Sequence, residues 1–196
     1  MLTSITPLGE RGRNRRWTST VTWYVSGSTL GGAAIGAVAG ALATVVGRLD
    51  PSPTVAGSLA AAVCLVAAAW DLRGARPRSW RRQVDETWLG RYRGWVIGGG
   101  FGLQLGFGVV TIITTASVYA MLALAVLTGS FWAALAIGTT FGLARALPLL
   151  TARRVRSNET LAGLHRRVAA LAAPVRRATV SLLAVAAAGL LAFAIS

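Results

Sequence analysis

Hydroxyl groups collect in one uncharged part of this chain. Thr111, Thr114, Thr115 and Ser117 lie in the middle of the apolar run Gly94–Gly129, and Gln104 precedes them by one to two helical turns. Their hydroxyl and amide groups could replace water around a small polar solute or ion. Threonines in an apolar helix can equally bond their own backbone carbonyls and pack against a neighbour. Thr139 and Thr140 would complete such a cavity from a second helix. Arg145, in FGLARALPLL, is the one charge well inside a predicted span. A cation at that depth is costly and points to an anion contact or gate, although a side chain one turn from the end of a span can also snorkel to the headgroups.

Other chemistries find little footing. The sequence has no nucleotide-binding loop, metal-ligand spacing, nucleophile–base pair or carboxylate pair, so it reads as a non-enzyme needing neither cofactor nor metal. Cys64 is the single cysteine, which excludes an internal disulfide. Thiol relay needs two thiols exchanging through a mixed disulfide. A lone cysteine in an alanine-rich span acts as a small hydrophobe. His165 has no partner at metal-ligand spacing and reads as solvated. No acidic residue falls in a predicted span, which argues against a carboxylate proton relay.

Composition places these residues in a membrane. The 196-residue chain is 54% hydrophobic and only 13% charged, with a mean hydropathy of +0.59. Soluble domains carry about 25% charged residues, and apolar runs of roughly 20 residues mark spans. The formal charge of +14 comes almost entirely from arginine. Those arginines sit between apolar runs, where they set topology and meet anionic headgroups, so the partner is the lipid bilayer and not nucleic acid.

The elements follow in order. Residues 1–18 are polar and arginine-rich, with no cleavable leader, and Trp17, Trp23 and Tyr24 suit an aromatic belt. Spans are expected at about 19–47, 54–70, 94–128, 131–150 and 178–195. The third is a long helix, tilted or broken near the threonines. Residues 71–93 hold seven arginines, and Trp80, Val84 and Trp88 recur at helical spacing, which predicts an interfacial amphipathic connector. Residues 151–177 hold seven more arginines. There the segment 159–171 suits the surface, and Pro174 suits the first turn of the last span. With the basic segments inside, the reading is a multi-pass cell-membrane (inner-membrane) protein, all-α, of one domain and five spans. Its N-terminus is cytoplasmic and its C-terminus outside.

Glycines recur at four-residue spacing: Gly32, Gly36 and Gly40, then Gly94, Gly98, Gly102 and Gly106, with Gly138 and Gly142 further on. Such ladders let helices approach closely, within one molecule or between the subunits of a homodimer. GSTLGGAAIGAVAG from Gly27 is echoed by GSFWAALAIGTTFG from Gly129, with six matches in 14 positions. The copies would cross in opposite senses. This predicts a partial inverted repeat, with two spans in 19–70 and three in 94–195. Transporter sites lie between such repeats near the midplane.

A glycine-rich broken helix, a GSxxxxxAIGxxxG helix and a thin third helix, repeated in inverted sense, resemble the transmembrane domain of the CcdA/DsbD thiol-disulfide carriers and the wider LysE-type exporters. In the redox branch the first helix of each repeat carries a cysteine beside prolines; here Val110–Ser117 holds neither. The resemblance implies a small carrier or exporter of a polar or anionic solute. The alternatives are a non-transporting membrane scaffold and a CcdA-like thiol-redox protein.

Overall fold

The computed structural model describes residues 5–12, 14, 16–74, 93–108 and 115–195, and every regular element among them is helical. The helices are α1 (Pro7–Gly12), α2 (Trp17–Arg48), α3 (Pro53–Leu72), α4 (Gly94–Phe107), α5 (Ser117–Leu127), α6 (Phe131–Ala146), α7 (Pro148–Thr151) and α8 (Asn158–Ile195). A short 3-10 turn, Ala152–Arg154, follows α7. Among the described residues, four helical segments are long and apolar enough to cross a membrane: Trp17–Arg48, Pro53–Leu72, Phe131–Arg154 and Asn158–Ala194. This is a membrane protein.

Local chemistry sets several boundaries. Ser52 accepts the Val55 N–H at 3.4 Å and Pro53 opens α3, a first-turn position where the missing N–H costs nothing. Gly129, at φ +65°, makes the expected turn before α6, and Ser130 Oγ accepts the Ala133 N–H at 3.4 Å. Gly108, at φ +70°, closes α4, a backbone state that side chains other than glycine resist.

The chain divides into two compact units. In the first (residues 1–34, 80–111 and 139–171), α4 lies along α2. A methyl group on Gly98, Gly102 or Gly106 would strike the carbonyl oxygen of Thr20, Tyr24 or Ser28 respectively. Because the two registers advance together, α2 and α4 run in the same direction. Gly142 of α6 faces Ser28 and Gly32. The Ser28 hydroxyl donates to the Gly142 carbonyl at 2.6 Å, so Ser28 sits between two helices with no side chain separating the backbones. An apolar cluster of Ile5, Val21, Tyr24, Ile97, Phe101, Ala146 and Leu149 completes this unit.

The second unit (residues 35–79, 112–138 and 172–196) has a core made largely of alanine. Ala39, Ala43, Ala125 and Ala134 form one cluster. Ala67, Ala116 and Ala120 join α3 to α5, and Ala61, Cys64 and Ala187 join α3 to α8. Lipid tails are as apolar as leucine, so such cores gain from close contact rather than from removal of water.

The uncharged run after Gly94, expected as a long helix tilted or broken near the threonines, holds two helices, α4 and α5. At 1.5 Å per residue their 14 and 11 residues span about 21 and 16 Å, short of a hydrocarbon core of about 30 Å. Two expectations are corrected. Residues 159–171 and the last span form one 38-residue helix with Pro174 inside it. Neighbouring helices and local adjustments let membrane helices keep an interior proline. The N-terminal arm packs into the first unit through Ile5. Ile5, Thr6 and Glu10 are each 1% exposed, and the Thr20 hydroxyl donates to Glu10 Oε2 at 2.9 Å. Finally, a carboxylate does lie in a candidate span: Asp71, in the last turn of α3. Thr111 and Thr114, and residues 75–92 of the expected connector, lie outside the described residues.

Candidate functional site

α5 begins without a side-chain cap of its own, because its N-cap residue is Ala116. The missing acceptor comes from another helix. Asp71 Oδ1, 45 residues earlier, accepts the Ala116 N–H at 2.7 Å. Asp71 is 4% exposed, and its second oxygen, Oδ2, is buried with no hydrogen-bond partner among the described residues. A carboxylate at a helix N-terminus gains from the partial positive charge of the free N–H groups, and an ionic acceptor makes a stronger bond than a neutral one.

The residues flanking Ala116 are two of the expected site residues. The Thr115 and Ser117 hydroxyls lie 2.7 Å apart, hydrogen-bonded to each other, and both residues are half-buried. At the start of α5 the structure therefore gathers two hydroxyls, a helix N-terminus and a buried carboxylate. Beside them, an open apolar cleft of about 1250 Å³ runs between α3 and α5. Ala67 and Trp70 line it from α3, and Ala116, Tyr119 and Ala120 from α5.

Sequence reasoning found the hydroxyls and missed the acid. Asp71 stands at the edge of an arginine-rich segment, and the charge pattern alone places it in the connector. The available signal was its place one residue after Trp70, before any helix-stopping residue, which lets the preceding span extend through it.

The other expected residues belong to the first unit. Gln104 and Thr139 are half-buried and Thr140 is exposed. The Arg145 guanidinium lies over the Phe141 ring, 5.3 Å from its centroid, a cation–π arrangement. A methyl group on Gly108 would sit 3.0 Å from that ring and 3.5 Å from Arg145 Nη1. Arg145 thus borders the turn that ends α4. Gly94 lines a second hollow, of about 550 Å³, with Arg16, Ser19, Thr20, Trp23 and Trp95. The rings of Trp23 and Trp95 are 6.1 Å apart there. Among the described residues no cluster of three or more metal-ligating side chains occurs. Cys64 is 1% exposed.

Two known proteins resemble the chain. The methylamine utilization protein MauF of Paracoccus versutus is 32% identical over 152 residues, 74% of this chain and 56% of that protein. MauF of Paracoccus denitrificans is 42% identical over 69 residues, 35% of this chain and 25% of that protein. The chain therefore spans little more than half the length of the first relative and a quarter of the second. No family model matches the chain, and no solved structure matches it.

Proposed function

We propose that this chain is a small membrane carrier that moves a small polar or anionic solute past the start of α5. The observation that carries the reading is the start of α5. There Asp71 holds the Ala116 N–H and the Thr115–Ser117 hydroxyl pair stands beside it. Interrupted helices whose termini and hydroxyls face a solute are a recurring way to build a transport site. A buried ionisable group in a span is a functional group by default.

The reading includes five crossings, with α4 and α5 sharing one, and a cytoplasmic N-terminus. The common direction of α2 and α4 supports placing residues 71–93 on the same side as the N-terminal arm. The reading also includes the partial inverted repeat. Gly36 and Gly138 hold equivalent places in the two copies, and a methyl group on Gly36 would lie 3.1 Å from the Gly138 Cα. Contact between equivalent positions is what a two-fold relation between antiparallel copies produces. These features support a carrier of the LysE/CcdA kind. The solute class is a small polar molecule or anion. The name of the relatives directs the first assay to methylammonium, a cation that a buried carboxylate complements.

The test is uptake by purified protein in lipid vesicles, measured with radiolabelled methylammonium, a neutral amino acid and an inorganic anion. At least one should enter, and Thr115→Val together with Ser117→Ala should cut its flux roughly tenfold, as when hydrogen bonds to a polar solute are left unmade. Vesicles no leakier than protein-free controls to all three would overturn the reading.

A non-transporting membrane subunit is the second reading, and α8 favours it. Only 11% of the apolar window of this helix is buried, which leaves a long apolar surface for lipid or a partner. Stable co-purification with one partner, together with absent flux, would select it. The thiol-redox reading requires partner thiols to reach Cys64, which is enclosed by Ala61 and Ala187.

A further inference from the structure

We propose that Asp71 is a proton-binding latch: ionised, it holds the start of α5 against α3, and protonated, it loosens that hold. As a coupling site it rests on the carrier reading; as a latch it stands on the following geometry alone.

The two carboxylate oxygens have unequal surroundings. Oδ1 has the Ala116 N–H at 2.7 Å, whereas Oδ2 is buried without a hydrogen bond among the described residues. A buried acceptor left unpaired is costly, and more so when it carries charge. A proton on Oδ2 removes the charge. It also turns Oδ1 into the carbonyl oxygen of a neutral acid, a weaker acceptor for the same N–H.

Nothing else among the described side chains is seen to take over the N-terminal role. Ala116 has no side-chain acceptor, and Thr115 and Ser117 are bonded to each other. The difference between the two charge states therefore falls on the one contact that fixes where α5 begins. The proton comes from the water bordering the C-terminal end of α3 and returns there on release. Uptake weakens the latch and release restores it.

Several charged and titratable groups lie near Asp71 among the described residues. On its own helix, Arg73 is the C-cap residue. On α5, Tyr119 lines the adjoining cleft. On α8, Arg176 reaches the neighbouring turn, its Nη1 lying 3.5 Å from where a methyl group on Gly74 would sit, with Arg177 next in sequence. Asp71 is the one carboxylate in this set.

The chain has three aspartates, Asp50, Asp71 and Asp85. The double variant Asp50→Asn/Asp85→Asn leaves Asp71 as the sole aspartate. Asp50 is exposed at φ +44°, a conformation that asparagine accepts readily. This protein, grown with carbon-13 aspartate and placed in lipid vesicles, is titrated from neutral to acid pH by infrared difference spectroscopy. Hydrogen exchange at the Ala116 amide is followed in parallel and corrected for the intrinsic effect of pH.

A labelled carboxyl C=O band should grow reversibly, and Ala116 exchange should quicken roughly tenfold along the same curve, the difference between a charged and a neutral acceptor. Asp71→Asn should exchange quickly at every pH. A labelled carboxylate band unchanged through the range in which the protein stays folded would overturn the proposal. So would a band that titrates while Ala116 exchange stays constant. Neither readout needs flux, so the latch and the carrier can fail separately.

Discussion

Ser28 donates its hydroxyl proton to the Gly142 carbonyl while its own carbonyl lies under Gly106 and Gly142. Two different losses can be separated at this one position. Ser28→Ala removes only the hydrogen bond, and interhelical bonds of this kind average about 0.6 kcal/mol. A small fall in thermal midpoint, measured in detergent, is expected. Ser28→Leu adds volume where backbones touch and should leave no folded protein; a well-folded leucine variant would show that the backbones do not meet. At Asp71 the loss is of another kind. Asp71→Ala leaves the Ala116 N–H uncapped and should cost about 1–2 kcal/mol, with Asp71→Asn between it and the native protein. Equal melting of all three would mean that the 2.7 Å contact contributes nothing. Hydroxyls were legible in the sequence because each is anomalous where it stands. Asp71 was not, because its partner is a backbone N–H, and every residue but proline has one.

Helix α4 illustrates what spacing can and cannot reveal. The step of four from Gly98 to Gly106 marks a face, and the face is the one laid along α2. The end of α4 was hidden, since Gly108 adds one more glycine to a run already rich in them, and only its φ of +70° distinguishes it. Pro174 misled in the opposite direction. Proline usually opens or breaks a helix, yet here it sits within α8. Glycine substitutions should therefore divide by contact and not by residue type. Gly106→Val and Gly142→Val meet backbone atoms and should abolish the monodisperse peak in size-exclusion chromatography. Gly163→Ala meets nothing within 4 Å and should be neutral or raise stability by about 0.5–1 kcal/mol. Sensitivity at Gly163 as severe as at Gly106 would move the weight of packing onto α8.

For the molecule as a whole, membrane character and helical class were written in composition. Hydropathy averages over side chains, and so does the arginine pattern; neither depends on which residues touch. The exact end of α4 and the carboxylate beside the start of α5 depend on single contacts, and those are absent from an average. The orientation proposed above is open to direct measurement. In a Cys64→Ala background, Ser130→Cys should react with an impermeant thiol reagent added outside intact cells, and Ser157→Cys only after lysis. Both side chains are exposed, so access depends on the side of the membrane. The reverse pattern would invert the topology and move the carboxylate end of α3 to the outer face. Native Cys64 should remain unlabelled in both settings.

The contact between Ser28 and Gly142 joins residues 114 positions apart. A ribosome adding about 5–20 residues per second needs on the order of ten seconds to travel from one to the other. During that delay the face of the first long segment that bears Gly32, Gly36 and Gly40 has entered the bilayer before α6, its mate, is complete. It must wait beside the insertion machinery, or diffuse away and be found again. Faulty assembly should therefore concentrate in nascent chains halted before residue 142, where a protease that clears orphaned segments would find its substrate.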